Sequence, residues 1–482
     1  MAGILIAGTT SDAGKTVVAT GVCRALARRG IQVAPYKAQN MSNNSMVVAS
    51  SSGEMAEIGR AQWIQACAAG VVPEPAMNPV LLKPGSDQRS HVVLMGRPWG
   101  ELSSANWMAG RAELGQAAHL AYDDLASRYQ VIVAEGAGSP TEINLRAGDY
   151  VNMGLARHAG LPVVVVGDVD RGGVFAAFFG TVALLSPQDQ ALVAGFVVNK
   201  FRGLQPLLDP GLADLQRLTG RRVFGTLPWH PLLWLDSEDA LDLDGRRSMR
   251  TGSRRVAVVR LPRISNFTDV DALGLEPDLD VVFVSDARGI ADADLVVLPG
   301  TRATFSDLAW LRSRGIDAAI AAHAAAGKPV LGICGGLQML GRTIADPDGI
   351  EAAPGVVAGL GLLDIDTRFG ADKVLRLSDV GYEIHHGRIQ LGNVEEFASG
   401  ARAGQVFGTM AHGFLEVDAV RSAFLADALG LAPSGVSFPA ARERRLDLLA
   451  DLLEEHVDVD ALLELACSGA PRGLPFLAPG AP

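Results

Sequence analysis

The segment Gly8-Thr9-Thr10-Ser11-Asp12-Ala13-Gly14-Lys15-Thr16 limits the folds open to this chain more than any other stretch. It follows Ile4-Leu5-Ile6-Ala7, an apolar run short enough for a buried strand. It precedes Val17 to Arg29, where apolar residues recur at helical spacing. Strand, glycine loop and helix in that order make a phosphate cradle. Backbone N–H groups and the positive helix end face the anion, Lys15 adds a point charge, and the Thr16 hydroxyl reaches a divalent cation. Five residues rather than four separate Gly8 from Gly14, so the loop is one residue longer than the usual pattern. A plain helix N-terminus is the weaker reading, because Gly-Lys-Thr rarely falls at a strand–helix junction by chance.

The 482 residues are too many for one ordinary core, so two or three domains are expected. Further apolar runs repeat the first one's logic. Gln32 to Lys37 ends in a lysine, and Val131 to Ala134 ends on Glu135-Gly136-Ala137-Gly138. Leu161 to Gly167 ends on Asp168-Val169-Asp170-Arg171, and Leu192 to Val198 on Asn199-Lys200. Buried strands alternating with helices, each ending in polar residues, make a parallel sheet with a site at the strand C-termini. Residues 236–255 turn acidic and then arginine-rich with Gly and Ser, which reads as a linker. A second α/β series follows, with strands at Val256–Val259, Val281–Val284, Leu295–Leu298 before Pro299-Gly300-Thr301, and Pro329–Ile333 ending on Cys334. Residues 347–425 are richer in β-structure and loops. Helices over roughly 440–467 close the second domain, and a poorly ordered tail is expected from Ser468.

A formal net charge of −11 with no long basic run argues against general nucleic-acid binding, although a locally basic site for an anionic substrate stays open. The four cysteines, Cys23, Cys67, Cys334 and Cys467, lack metal-site spacing and suit a reducing compartment. No charged leader is seen and no apolar run reaches membrane-spanning length, so a soluble cytoplasmic protein is expected.

Gly332-Ile333-Cys334-Gly335-Gly336-Leu337-Gln338 delivers a cysteine from a buried strand to a tight turn before a helix. Small neighbours permit strained backbone and close substrate approach, and the helix N-terminus favours the thiolate. The Gly335 N–H, with one from the Pro299-Gly300-Thr301 turn, suits an oxyanion hole. A lone cysteine is more often inert core, but strand, turn, helix and three glycines reverse that reading here. Among nine histidines, His412 in Gly408-Thr409-Met410-Ala411-His412-Gly413-Phe414 is the best base, with His385 and His386 as rivals.

Gly-Ile-Cys-Gly-Gly-x-Gln with a downstream His-Gly resembles the class I glutamine amidotransferases. The resemblance implies that Cys334 attacks the glutamine amide, His412 acts as base, and Gln338 helps hold the substrate. The family's usual third residue, a glutamate two positions after the histidine, is replaced by Phe414, and Glu416 lies four positions away. The N-terminal half resembles the dethiobiotin synthetase-like ATPases. That resemblance implies ATP at Gly8, Thr10, Asp12, Gly14, Lys15, Thr16, Lys37 and Asn199, with Mg²⁺ at Thr16 and Glu135. Together the halves resemble the cobyric acid synthase family. The shared stretches are Lys37-Ala38-Gln39-Asn40-Met41, Glu135 to Pro140, Glu142 to Leu145, Val151 to Gly154, Gly167 to Phe175, Asn199 to Gly203 and Leu261 to Phe267.

The implied architecture is α/β in two domains. A P-loop-type parallel sheet with flanking helices occupies 1–235, a linker 236–255, a class I amidotransferase α/β domain 256–467, and a tail 468–482. The implied reaction is amidation of four carboxylates of adenosylcobyrinic acid a,c-diamide with glutamine-derived ammonia and ATP. Ammonia would pass between the sites, and the corrin is substrate, so no permanently bound cofactor is implied. Gln39, Asn40, Asp168, Asp170 and Arg171 are substrate or metal candidates. Loop polarity would explain Gln39 and Asn40 equally simply, whereas for Asp168 and Asp170 near Mg²⁺ and Arg171 on a substrate carboxylate, strand-end capping and a surface salt bridge are the weaker reading. Partners are small molecules rather than nucleic acid or membrane, with oligomeric state left open. The alternatives are the sister synthase that makes the a,c-diamide, another ATP-dependent glutamine amidotransferase, and a ParA/MinD-like regulatory ATPase. The last normally carries a lysine where this chain has Thr10.

Overall fold

A computed structural model of the chain describes residues 2–50, 52–86, 89–103, 107–233 and 253–478. It forms two compact units, one of Met1–Ser42, Val48–Asp236 and Arg442–Pro482, the other of Asn43–Val47 and Ser237–Ala441. Most of the expected linker lies outside the described residues.

The first unit is built on a six-stranded sheet, ordered Arg222–Pro228, Val193–Phe201, Val163–Asp168, Ala2–Gly8, Val131–Glu135, Val33–Tyr36. Every neighbouring pair is parallel. Parallel strands are covered on both faces, which is why these read as unbroken apolar runs. Successive residues serve opposite cores: Leu5, Ala7, Val163 and Val165 pack on one face, and Ile4, Ile6, Val164 and Val166 on the other. The strand Ala2–Gly8 sits between the two strands whose C-termini carry Glu135 and Asp168. The helix Lys15–Arg28 follows it, so the glycine loop opens in the crevice above the sheet. Gln39 and Asn40 continue into a second, smaller sheet. They pair there with Val80 and Leu81 and are buried, not placed in a solvated loop.

The second unit has a seven-stranded sheet, ordered Leu279–Val284, Arg254–Val259, Leu295–Leu298, Val330–Ile333, Val406–Thr409, Gly400–Ala403, Glu395–Phe397. The first five are parallel and the last two antiparallel. Leu295–Leu298, Val330–Ile333 and Val406–Thr409 run side by side. Their C-terminal ends therefore bring the Pro299-Gly300 turn, Cys334 and the His412 segment to one edge. A four-stranded sheet, Gly355–Ala358, Thr343–Asp346, Ile365–Ser378 and Gly381–Leu391, supplies the β-rich part expected from sequence.

The C-terminal boundary differs from expectation. Helices Phe438–His456 and Val459–Ser468 are laid almost wholly on the first unit. There Leu446, Ala450, Leu453, Leu462 and Leu465 join the core of Val18, Val22 and Leu26 from the glycine-loop helix. Their charged face pairs with that helix, through Arg24 with Asp447 at 2.9 Å and Arg28 with Asp451 at 2.6 Å. Within the expected tail, packing extends to Leu477. Leu477 is buried, and its N–H and C=O bond the Gln190 side chain at 2.9 and 3.0 Å. No described helix is long and apolar enough to cross a membrane.

Candidate active sites

In the first unit, Gly14 caps the helix at φ 100°, and a Cβ there would stand 1.8 Å from Asn199 Nδ2. Both the dihedral and the close approach require glycine. Asn199 Nδ2 in turn donates to Ala13 C=O at 3.0 Å, so the strand end holding Asn199-Lys200 pins the loop. Asp12 and Lys200 also sit at positive φ, 61° and 58°, and Lys200 Nζ donates to Asp12 C=O at 2.9 Å. Strain in non-glycine residues gathers at this loop, as is common at ligand clamps. Lys15 Nζ donates to the carbonyls of Thr10 and Gly138 at 3.0 and 3.1 Å.

Glu135 is fully buried at the next strand's end. Thr16 Oγ1 and Lys37 Nζ reach its Oε1 at 2.8 and 2.9 Å, and Gln65 Nε2 reaches Oε2 at 2.6 Å. A buried carboxylate needs such partners, since isolation would cost several kcal/mol. Among the described residues no three His, Cys, Asp or Glu side chains converge on a metal position. Mg²⁺ does not require that, because it keeps waters and phosphate oxygens and takes one or two protein oxygens. Thr16 Oγ1 and Glu135 Oε1 offer two hard oxygens at the phosphate loop, so the residues fit the ion.

Tyr150 OH donates to Gln39 Oε1 at 2.5 Å, and Asn40 Nδ2 to Gln62 Oε1 at 2.9 Å, which fixes both amides. Asp168, Asp170 and Arg171 gather elsewhere on the rim. Asp168 meets Lys200 at 3.0 Å and accepts the Asp170 N–H at 2.9 Å, and Arg171 donates to Asp12 at 2.7 Å. These are the capping and ion-pair contacts of the simpler reading. Gln65 and Tyr150, which hold Glu135 and Gln39, were not legible as site residues.

In the second unit Cys334 has φ 51° and ψ −107°, a conformation side chains avoid. The turn is enforced from both sides. The Cys334 N–H donates to Thr409 C=O at 2.7 Å, and a Cβ at Gly336 would fall 1.8 Å from Leu298 O. Cys334 is thus held on a strained elbow before the helix Gly335–Leu340. A Cβ on Gly300 would lie 2.9 Å from His412 Cε1, and one on Gly335 2.7 Å from Thr301 Cγ2, so the two expected oxyanion residues flank the site.

His412, 1% exposed, hydrogen-bonds the Cys334 side chain with its ring. Its Nδ1 lies 2.7 Å from Asp269 Oδ2, while Asp269 Oδ1 accepts the Gly413 N–H at 2.8 Å. Burial alone would push the imidazole down. The Asp269 charge and the Cys334 side chain outweigh it and raise His412 to about 10. Cys334, His412 and Asp269 therefore stand in the order that a nucleophile, a base and its orienting carboxylate require. Asp269 is the residue sequence reasoning missed. Its signal was present, because it lies two positions beyond the shared stretch ending at Phe267. Phe414 instead packs edge-to-face on Phe397 and Phe424. Of the rivals, His385 pairs with Glu383 at 3.0 Å and His386 with Gly370 C=O at 3.2 Å.

Comparison with known proteins agrees with both halves. Residues 4–241 match the family model of the CobQ/CobB/MinD/ParA nucleotide binding domain. Residues 255–420 match the CobB/CobQ-like glutamine amidotransferase domain. The first model takes in MinD and ParA, so the second half and the full-length relatives decide against a regulatory ATPase. A cobyric acid synthase from Mycolicibacterium gilvum is 74% identical over 491 residues, covering 100% of each chain. One from Mycobacterium tuberculosis is 71% identical over 494 residues with the same coverage. The chain belongs to the cobyric acid synthase family, glutamine amidotransferase ligases that carry out amidation in cobalamin biosynthesis.

Proposed function

We propose that the enzyme converts adenosylcobyrinic acid a,c-diamide into adenosylcobyric acid, amidating four peripheral carboxylates at the expense of ATP and glutamine. The observation that carries this reading is the presence, in one chain, of a phosphate loop closed on Glu135 and a Cys334–His412–Asp269 triad. A carboxylate is a poor acyl donor until phosphorylated, and ammonia is scarce in neutral form, so each site supplies what the other lacks.

At the triad, Cys334 Sγ attacks the glutamine amide carbon while the oxyanion meets the N–H groups of Gly335 and Gly300. His412 gives its proton to the departing nitrogen, the C–N bond breaks and ammonia leaves. Water then cleaves the thioester and glutamate departs. At the loop, Lys15 and the backbone of Gly8 to Thr16 hold the triphosphate, with Thr10, Asp12, Lys37 and Asn199 around it. The substrate carboxylate displaces ADP from the γ-phosphorus. Ammonia then attacks the acyl carbon and phosphate leaves. Mg²⁺, held through Thr16 and Glu135, would neutralise charge on the transferring phosphoryl group. Gln39, Asn40, Asp168, Asp170 and Arg171 are assigned to the corrin side of this site. A reducing cytoplasm suits four cysteines scattered far apart in the sequence.

Mass spectrometry of the corrin after incubation with Mg²⁺-ATP and glutamine tests the reading. Four successive hydroxyl-to-amine conversions, abolished in Lys15→Ala, are expected. Unchanged corrin alongside intact ATP and glutamine hydrolysis would move the enzyme to another carboxylate substrate.

A further inference from the structure

His412 is held in two places, by its ring and by its main chain, and both supports lead back to one residue. Asp269 holds the ring at 2.7 Å. Tyr382 holds the main chain: its N–H donates to His412 C=O at 2.9 Å, and its C=O accepts the His412 N–H at 2.8 Å. The Tyr382 ring lies 5.5 Å from the imidazole, centroid to centroid. Gly381 lets the two backbones meet, since a Cβ there would run into the His412 carbonyl oxygen.

Asn266, 2% exposed, touches both supports. Its Nδ2 donates to Tyr382 OH at 3.2 Å, and its C=O accepts the Asp269 N–H at 2.9 Å. The N–H of its neighbour Ser265 donates to Gly300 C=O at 2.9 Å, which ties the same turn to the expected oxyanion residue. A third contact orients the amide. The Ser45 N–H, from the Asn43–Val47 segment of the second unit, donates to Asn266 Oδ1 at 2.9 Å. A backbone N–H can only donate, so Oδ1 faces Ser45 and Nδ2 is left for the tyrosine hydroxyl. Asn266 has φ 48°, in the left-handed region that asparagine tolerates and most side chains avoid.

We propose that Asn266 is a positioning residue of the glutaminase site. Its side chain, seated on Ser45, holds Tyr382, and Tyr382 holds the His412 main chain so that the ring keeps its register between Asp269 and Cys334. The proposal rests on the reading of His412 as the base. Such a frame matters because a displacement of about 1 Å at a reacting group can cost about 10²-fold in rate. The competing account is that asparagine stands at 266 only because the backbone there is left-handed.

Asn266→Gly separates the two accounts. Glycine keeps the left-handed backbone and the carbonyl that meets Asp269, and removes only the amide. In the full-length protein, glutaminase kcat should fall by about 10- to 100-fold with glutamine KM nearly unchanged. Tyr382→Phe, which keeps the ring and removes the hydroxyl, should lose a similar amount. The double variant should lose no more than either alone, since both break one link. Asn266→Asp keeps an acceptor for Ser45 and offers the Tyr382 hydroxyl a carboxylate oxygen, so it should recover most of the rate. In Asn266→Gly the alkaline limb of kcat should also move toward neutral pH. Burial lowers His412 once its ring, faced by Asp269, Cys334 and Tyr382, loses register with the first two, which raise it. Full kcat in Asn266→Gly, lost amplitude with an unmoved limb, or losses that multiply in the double variant overturn the proposal. Absence of Cys334-dependent glutamine hydrolysis in the wild type would overturn the underlying reading instead.

Discussion

His412 shows how one contact changes the chemistry of a side chain. A buried imidazole would ordinarily be neutral, and Asp269 at 2.7 Å turns that preference around, holding the ring protonated up to about 10. In the proposed mechanism protonated His412 is the acid that releases ammonia, so the alkaline fall of glutaminase kcat should come near that value. Asp269→Asn removes the charge that raises it, and burial then dominates and lowers it. The alkaline limb should therefore move toward neutral pH, with kcat down by about 10²- to 10⁴-fold and glutamine KM little changed. A pH–rate profile checks this, and an unshifted limb would show that Asp269 merely packs. The position of Asp269 beside the stretch ending at Phe267 was a signal, but its pairing with His412 was not legible, because the two are 143 positions apart and only the fold brings them together. Cys334 and Gln338 were legible because a strand, a turn and one helical turn fix them locally.

At the scale of elements, the parallel strands were readable because full burial leaves an uninterrupted apolar run, as in Val163 to Val166. The C-terminal helices were readable as helices but not in their destination. Amphipathic periodicity says that a face is buried, not against which sheet. Their charged face meets Arg24 and Arg28 of the glycine-loop helix and Arg29 at its C-terminal end. Each such exposed pair contributes at most about 1 kcal/mol, so the apolar face beneath must hold the helices. Leu453, fully buried there, is the test. Leu453→Ala should destabilise the first unit by about 2–5 kcal/mol through the cavity it leaves. Hydrogen exchange should report faster opening of Lys15–Arg28, while Gly335–Leu340 keeps its protection. Equal loss in both segments would mean that the helices do not belong to the first unit alone.

For the whole molecule, the proposed reaction divides between the two units, with the phosphate loop in one and Cys334, His412 and Asp269 in the other. Thr16 and Lys37 meet Glu135 within the first unit, and His412 meets Cys334 and Asp269 within the second. Chemistry divided in this way should be separable by single substitutions. Cys334→Ala removes the only nucleophile of the triad, so glutamine-dependent amidation should fall by about 10⁴-fold or more. The phosphate loop is untouched, and ammonium chloride should restore corrin amidation in that variant, more effectively as rising pH increases the fraction of neutral ammonia. Lys15→Ala should do the reverse, abolishing amidation from either nitrogen source while glutamine is still hydrolysed. Measuring amide formation and glutamate release side by side in both variants decides the matter. If ammonium chloride fails to rescue Cys334→Ala although the variant still binds ATP, the acyl-activating site depends on the glutaminase for more than ammonia.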